Sequence, residues 1–198
     1  MLLFFVLTSA MLVANQLGYV TNSSTNSVTV FDIPSYTTHA VFSLPSFNNP
    51  VDVAISPNGT LGYVTNLGND TVTVFSIPTY AEVAVFSVPS TPTDIAISPD
   101  GTLAYVTSSL ASPSGVITVF NLPDFTFIAT ISAVQFDKPV AVSLTPSLGY
   151  VPNMNSTNMA IFNISTNMFN QAFTLSTLFS LTASLCRSNP VICCPSFL

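Results

Sequence analysis

The sequence predicts an all-β fold, a β-propeller built from about four blades of four antiparallel strands, as a small closed ring or a partial propeller. Two observations carry this expectation. A short segment recurs as Tyr19-Val20-Thr21-Asn22, Tyr63-Val64-Thr65-Asn66 and Tyr105-Val106-Thr107-Ser108, with a decayed copy at Tyr150-Val151-Pro152-Asn153. Its tyrosines lie 44, 42 and 45 residues apart, a period that suits a four-stranded propeller blade rather than a helical solenoid unit.

Within one period the strands follow from local pattern. In the second repeat, 51–56 reads as the innermost strand, 61–65 as the second, 71–75 as the third and 81–88 as the outermost. Val72 and Val74 alternate with Thr71, Thr73 and Phe75, the period-two pattern of a strand whose faces are used differently. Asn58-Gly59 and Asp100-Gly101 separate the first two strands of their repeats, where a tight turn needs positive φ and Gly supplies it. Pro34, Pro78 and Pro123 follow the Phe-containing strands and end them, because proline cannot donate to a ladder.

The third repeat keeps the same order from 93 to about 131. The fourth is eroded, with Thr145-Pro146 replacing the Asp-Gly turn and Pro139 replacing the aspartate seen at Asp52 and Asp94. The first lacks an obvious inner strand. Blades are thus expected near 15–46, 50–88, 93–133 and 139–175. Residues 176–198 supply a closing strand, around Phe179 to Ser184, and a cysteine-containing tail. The N-terminal run also aligns loosely, with Ala10-Met11 opposite Ala54-Ile55, so ring closure, an open arc and pairing with a second copy all remain open.

Further shared segments are Ser27-Val28-Thr29-Val30-Phe31, Thr71-Val72-Thr73-Val74-Phe75 and Val116-Ile117-Thr118-Val119-Phe120. Val53-Ala54-Ile55-Ser56-Pro57-Asn58-Gly59-Thr60-Leu61 is matched by Ile95-Ala96-Ile97-Ser98-Pro99-Asp100-Gly101-Thr102-Leu103. Over roughly residues 15 to 165 the chain resembles the YVTN β-propeller repeat family, whose members include microbial surface-layer and other extracellular proteins. The resemblance implies a propeller and a secreted or cell-surface location. The shared residues are scaffold residues, and propellers serve many chemistries.

Composition narrows the partners. Lys138 and Arg187 are the only two basic residues, so no patch can neutralise phosphates and nucleic-acid binding is excluded. With 5% charged residues, solubility is expected to come from Ser, Thr and Asn on outward faces. Residues 1–14 form an uncharged apolar run, read as a signal-like segment without the usual positive start or as an inner strand. The run is too short to span a bilayer, and the charge-free stretch 139–186 is interrupted by Asn163, Asn167, Asn170 and Gln171. No integral membrane span is expected.

Candidate chemistry is sparse. His39 and Glu82 fall in expected outer strands, remote from a central channel. Asp52 and Asp94 occupy equivalent places in two inner strands that line it. Paired carboxylates there would suit a calcium ion through hard oxygen contacts; otherwise each accepts hydrogen bonds from neighbouring backbone, with no cofactor. The isolated glycines read as turn residues, with no nucleophile elbow or phosphate loop. Sequons at Asn22, Asn58, Asn69, Asn155 and Asn163 are glycosylation acceptors if the chain is exported, although Asn58 also reads as a turn residue. Cys186, Cys193 and Cys194 lie outside the repeats, and their odd number leaves one thiol over.

Two functions follow as expectations. One is a non-enzymatic extracellular scaffold binding a protein or glycan partner, with homo-oligomerisation as a route to ring completion. The other is a lactonase-like hydrolase or a fragment of one, since lactone-hydrolysing propellers resemble this chain in carrying Ser-Pro-Asp-Gly turns before a Tyr-Val.

Overall fold

The computed structural model describes residues 16–33, 35–89, 91–109, 115–132, 141–153 and 158–174. The apolar segment 1–14, the closing run Phe179 to Ser184, the three cysteines, Lys138, Arg187, Pro139 and Asn155 lie outside the described residues.

Four antiparallel sheets follow one another along the chain, each with its strands in sequence order. The first holds β1 (Gln16–Asn22), β2 (Ser27–Ile33) and β3 (Thr38–Phe42). The second holds β4 (Pro50–Ile55), β5 (Leu61–Asn66), β6 (Thr71–Ser76) and β7 (Glu82–Ser87). The third holds β8 (Pro92–Ile97), β9 (Leu103–Ser108), β10 (Val116–Asn121) and β11 (Thr126–Ser132). The fourth holds β12 (Ser143–Leu144), β13 (Leu148–Pro152), β14 (Asn158–Asn163) and β15 (Met168–Thr174). Each expected strand of the second repeat is present within a residue or two of its expected ends, and the first sheet has no inner strand among the described residues.

Successive sheets stack face to face, with β1 on β4, β4 on β8 and β8 on β12. Each junction encloses one apolar cluster. Tyr19, Val28 and Val30 meet Val64 and Phe75. Tyr63, Val72 and Val74 meet Val106 and Phe120. Tyr105, Ile117 and Val119 meet Val151 and Phe162. The recurring Tyr-Val pair is thereby explained: adjacent strand residues point to opposite faces, so Tyr63 reaches forward to the next sheet while Val64 reaches back. Each Phe reaches back to the preceding sheet, and Tyr105 and Phe162 bring their rings to 5.2 Å.

The ladder slips at that Phe in every sheet, between Val30 and Phe31, Val74 and Phe75, Val119 and Phe120, and Ile161 and Phe162. A bulge here bends the outer strand and increases its twist. The turns entering three outer strands hold Tyr36, Tyr80 and Phe125 at φ of 57°, 54° and 57°, a conformation costly for aromatic residues. Tyr80 stacks on Phe42 at 4.7 Å and Phe125 on Phe86 at 5.8 Å, contacts between blades that offset the backbone cost.

Three expectations are corrected. Gly59 and Gly101 have φ of 69° and 75° and serve their turns. Gly18, Gly62 and Gly149, however, lie inside strands, where a Cβ would fall 2.2, 2.1 and 2.0 Å from the ring Cζ of Phe31, Phe75 and Phe162. They are absent side chains that let a ring cross the strand. Polar residues of the repeat do not all face outward either: Thr65, Asn66, Thr73 and Thr107 are buried between sheets, where they hydrogen-bond one another or the backbone. Finally, Ser143 pairs with Tyr150 as Ala96 pairs with Tyr105. That register puts Ala141, not Pro139, in the place of Asp94.

Candidate functional site

Asp52 and Asp94 lie near the starts of β4 and β8, each just after a ladder irregularity, between Pro50 and Asp52 and between Pro92 and Asp94. Such an irregularity re-aims the following side chain, and here both carboxyls turn along the stack. Asp52 Oδ2 accepts the Ile95 N–H at 3.0 Å, on β8 of the next sheet. Asp94 Oδ2 accepts the Val142 N–H at 2.6 Å, beside β12 of the sheet after that. One bond type, repeated at successive junctions, thus joins three consecutive inner edges.

The two carboxyls also hydrogen-bond each other. Asp52 is 3% and Asp94 9% exposed, so a charge on either is poorly solvated. Burial pushes the Asp94 carboxyl well above the usual carboxylate range, and the Asp52 charge beside it pushes it further. Burial also raises Asp52, while hydrogen bonds from Asp94 and from the Ile95 and Val53 amides oppose the rise. Burial and the neighbouring carboxyl together thus favour keeping a proton on the pair, most strongly at Asp94.

Around this pair the polar groups belong to the scaffold. Thr65 Oγ1 accepts the Asp52 N–H at 3.1 Å, and Thr21 Oγ1 on β1 donates to the Val51 carbonyl at 3.0 Å. Thr93 and Thr107 bring their hydroxyls within 2.9 Å of each other. Among the described residues, no group of three or more His, Cys, Asp or Glu is placed to hold a metal ion.

Other residues singled out from sequence lie apart from the pair. His39 is on outer strand β3, with Nδ1 3.5 Å from Asp32 Oδ1. Glu82 opens β7 and accepts the Ser46 hydroxyl at 2.6 Å. Of the sequons, Asn22 spends its amide on Thr29 Oγ1 at 2.9 Å. Asn69 is exposed, with its amide 3.3 Å from the Ser46 carbonyl. Asn163 Oδ1 accepts the Ser165 N–H at 2.9 Å and hydroxyl at 2.7 Å. Asn58 Oδ1 accepts the Ser56 and Thr60 hydroxyls at 2.7 and 2.8 Å within its turn.

At the far end of β4 from Asp52, an open cleft of about 270 Å³ lies between the turns at Asn58 and Gly101, over Tyr63 and Leu122. The outer strands carry a different surface. Val41 on β3, Val83 and Val85 on β7, and Phe127 and Ile128 on β11 are exposed on three consecutive sheets, as is Tyr36 in the turn before β3. Sequence reasoning did not select them, because an apolar residue in a strand gives no sign of facing solvent; their alternation with the inward Ala84 and Phe86 was the available signal.

Solved structures share this arrangement. Hydrazine synthase of Kuenenia stuttgartiensis matches with a TM-score of 0.69 and 24% identity, over 79% of this chain and 45% of that one. The chain has a β-propeller fold. A functionally unknown protein from Desulfotomaculum acetoxidans DSM 771 matches with a TM-score of 0.65 and 19% identity, over 80% of this chain and 49% of that one. The chain thus spans about half the length of the structures it matches, and at these identities the likeness speaks for fold alone. No protein-family model and no curated protein matches the sequence. Among the described residues, no helix is long and apolar enough to cross a membrane.

Proposed function

We propose that this chain is a non-enzymatic β-propeller scaffold of the YVTN type, secreted or held at a cell surface, that binds a protein or glycan partner through its outer strands. The observation that carries the reading is the exposed row of Val41, Val83, Val85 and Phe127 on consecutive outer strands, with Tyr36 73% exposed beside it. Aromatic and aliphatic side chains displayed on a rigid sheet contribute large contact area for little ordering cost. The recurring Tyr-Val-Thr segments and low charge support the family and location assigned. The Asp52–Asp94 pair belongs to the stacking of the scaffold in this reading.

Binding to a glycan array and to a panel of secreted proteins tests it. The wild-type chain is expected to capture a member of one set, and the triple variant Tyr36→Ala, Val83→Ser, Val85→Ser to lose that capture while keeping its far-ultraviolet circular dichroism. Metal-dependent turnover of a lactone panel by the purified chain would overturn the proposal in favour of the hydrolase, and capture untouched by the triple substitution would remove the outer strands from it.

A further inference from the structure

The Asp52–Asp94 contact has a property the scaffold role alone does not require. We propose that these two side chains share a single proton across the junction between the second and third sheets and act as a pH-responsive latch on the inner strands β4, β8 and β12. Two facing carboxylates out of water cannot both carry charge at modest cost. A shared proton removes the repulsion and supplies a charge-assisted hydrogen bond. The geometry commits the remaining acceptors, since Asp52 takes the Ile95 amide and Asp94 the Val142 amide.

Among the described residues, the surroundings leave the pair to compensate itself. The side chains that hydrogen-bond around the two strand starts are Thr65 on β5, Thr107 on β9, Thr93 on β8 and Thr21 on β1, and none of these titrates. The fourth sheet presents Val142 by its backbone. Among the described residues, the titratable group each carboxyl faces is the other. Releasing the proton to solvent leaves two facing carboxylates, and their repulsion acts directly on the β4–β8 spacing.

The direction of the pH effect follows. Both carboxyls hold protons more tightly in the folded chain than in the unfolded one. Their contribution to stability is complete below the unfolded carboxylate range and is lost as pH rises through the folded one. Asp94→Asn tests this, because its amide can donate to Asp52 and its carbonyl oxygen can accept from Val142 while nothing titrates.

Carboxyl-carbon NMR of the aspartate-labelled chain is expected to show one buried aspartate that titrates above the usual carboxylate range, and that titration to vanish in Asp94→Asn. The wild-type Tm is expected to fall as pH rises above the unfolded carboxylate range and through the folded one, and that slope to flatten in the variant. Asp52→Asn, which places an amide where both oxygens accept, is expected to lower Tm far more than Asp94→Asn. Titration of every wild-type aspartate within the usual carboxylate range overturns the proposal, whether or not the variants fold. An unchanged pH slope in a folded Asp94→Asn chain also overturns it.

Discussion

The Asn66 side-chain amide donates to the Thr73 hydroxyl at 2.9 Å, tying β5 to β6 inside the junction between the first two sheets. The first sheet repeats the bond, Asn22 to Thr29 at 2.9 Å. The third cannot, because Ser108 stands in the asparagine's place and donates to the Pro89 carbonyl at 3.3 Å. The equivalent threonine, Thr118, is 1% exposed, and among the described residues its hydroxyl has no hydrogen-bond partner.

Ser108→Asn should therefore stabilise the chain, by satisfying a buried hydroxyl that now bears its desolvation cost alone. The expected gain is about 1 kcal/mol, seen as a rise in Tm of roughly 2–4 °C for a chain of this size. A thermal melt decides the matter. An unchanged or lower Tm would mean that a buried water already serves Thr118, or that the larger side chain does not fit.

A second prediction concerns the glycine before the tyrosine. At Gly62 an added methyl would sit 2.1 Å from Cζ of Phe75, a ring with no exposed surface. Gly62→Ala is expected to cost about 1–3 kcal/mol through overpacking, measured as a shift in the urea midpoint at constant slope. The third sheet offers the internal comparison: Ala104 stands opposite Phe120 there, with Phe120 lying 4.7 Å from Phe86. A neutral Gly62→Ala would show that Phe75 can make the same adjustment. Adding Phe75→Leu to Gly62→Ala should recover part of the loss if the clash is its cause.

These two sites mark the boundary of what local sequence discloses. Blade count, strand order and the turns at Gly59 and Gly101 were legible because alternation of two and a repeat near 43 residues are both written along the chain. Gly62 read as a turn residue because glycine carries no mark of the ring that crosses it. Asp52 and Asp94 stood out by their equal places, but their contact arises from ladder slips at Pro50 and Pro92 and from the stacking of separate sheets. Neither feature is encoded within one repeat. For the same reason Pro139 was assigned the aspartate position that the register of β12 and β13 gives to Ala141.

The acid limb of stability rests on other carboxylates, with the opposite sign. Asp100 accepts the Ser98 hydroxyl at 2.6 Å, and the Thr102 N–H and hydroxyl at 3.1 and 2.9 Å. The Ser98 bond foremost, then those from Thr102, hold its carboxyl below the usual carboxylate range. A depressed folded pKa means that its contribution is present above the unfolded value and is lost as pH falls through the folded one. The turn of the second sheet performs the same task with Asn58, which does not titrate and accepts the Ser56 and Thr60 hydroxyls alike. Asp100→Asn should accordingly preserve the turn at neutral pH and reduce the loss of stability as pH falls below the usual carboxylate range. Part of the slope should persist, because Asp124, lowered by the Thr126 hydroxyl and then by the Asn121 amide, remains. Melting curves of both chains across this range make the comparison. An acid slope identical in the two would show that the Asp100 bonds do not favour the charged form, and a lower Tm at neutral pH would show that Asn58 and Asp100 are not interchangeable.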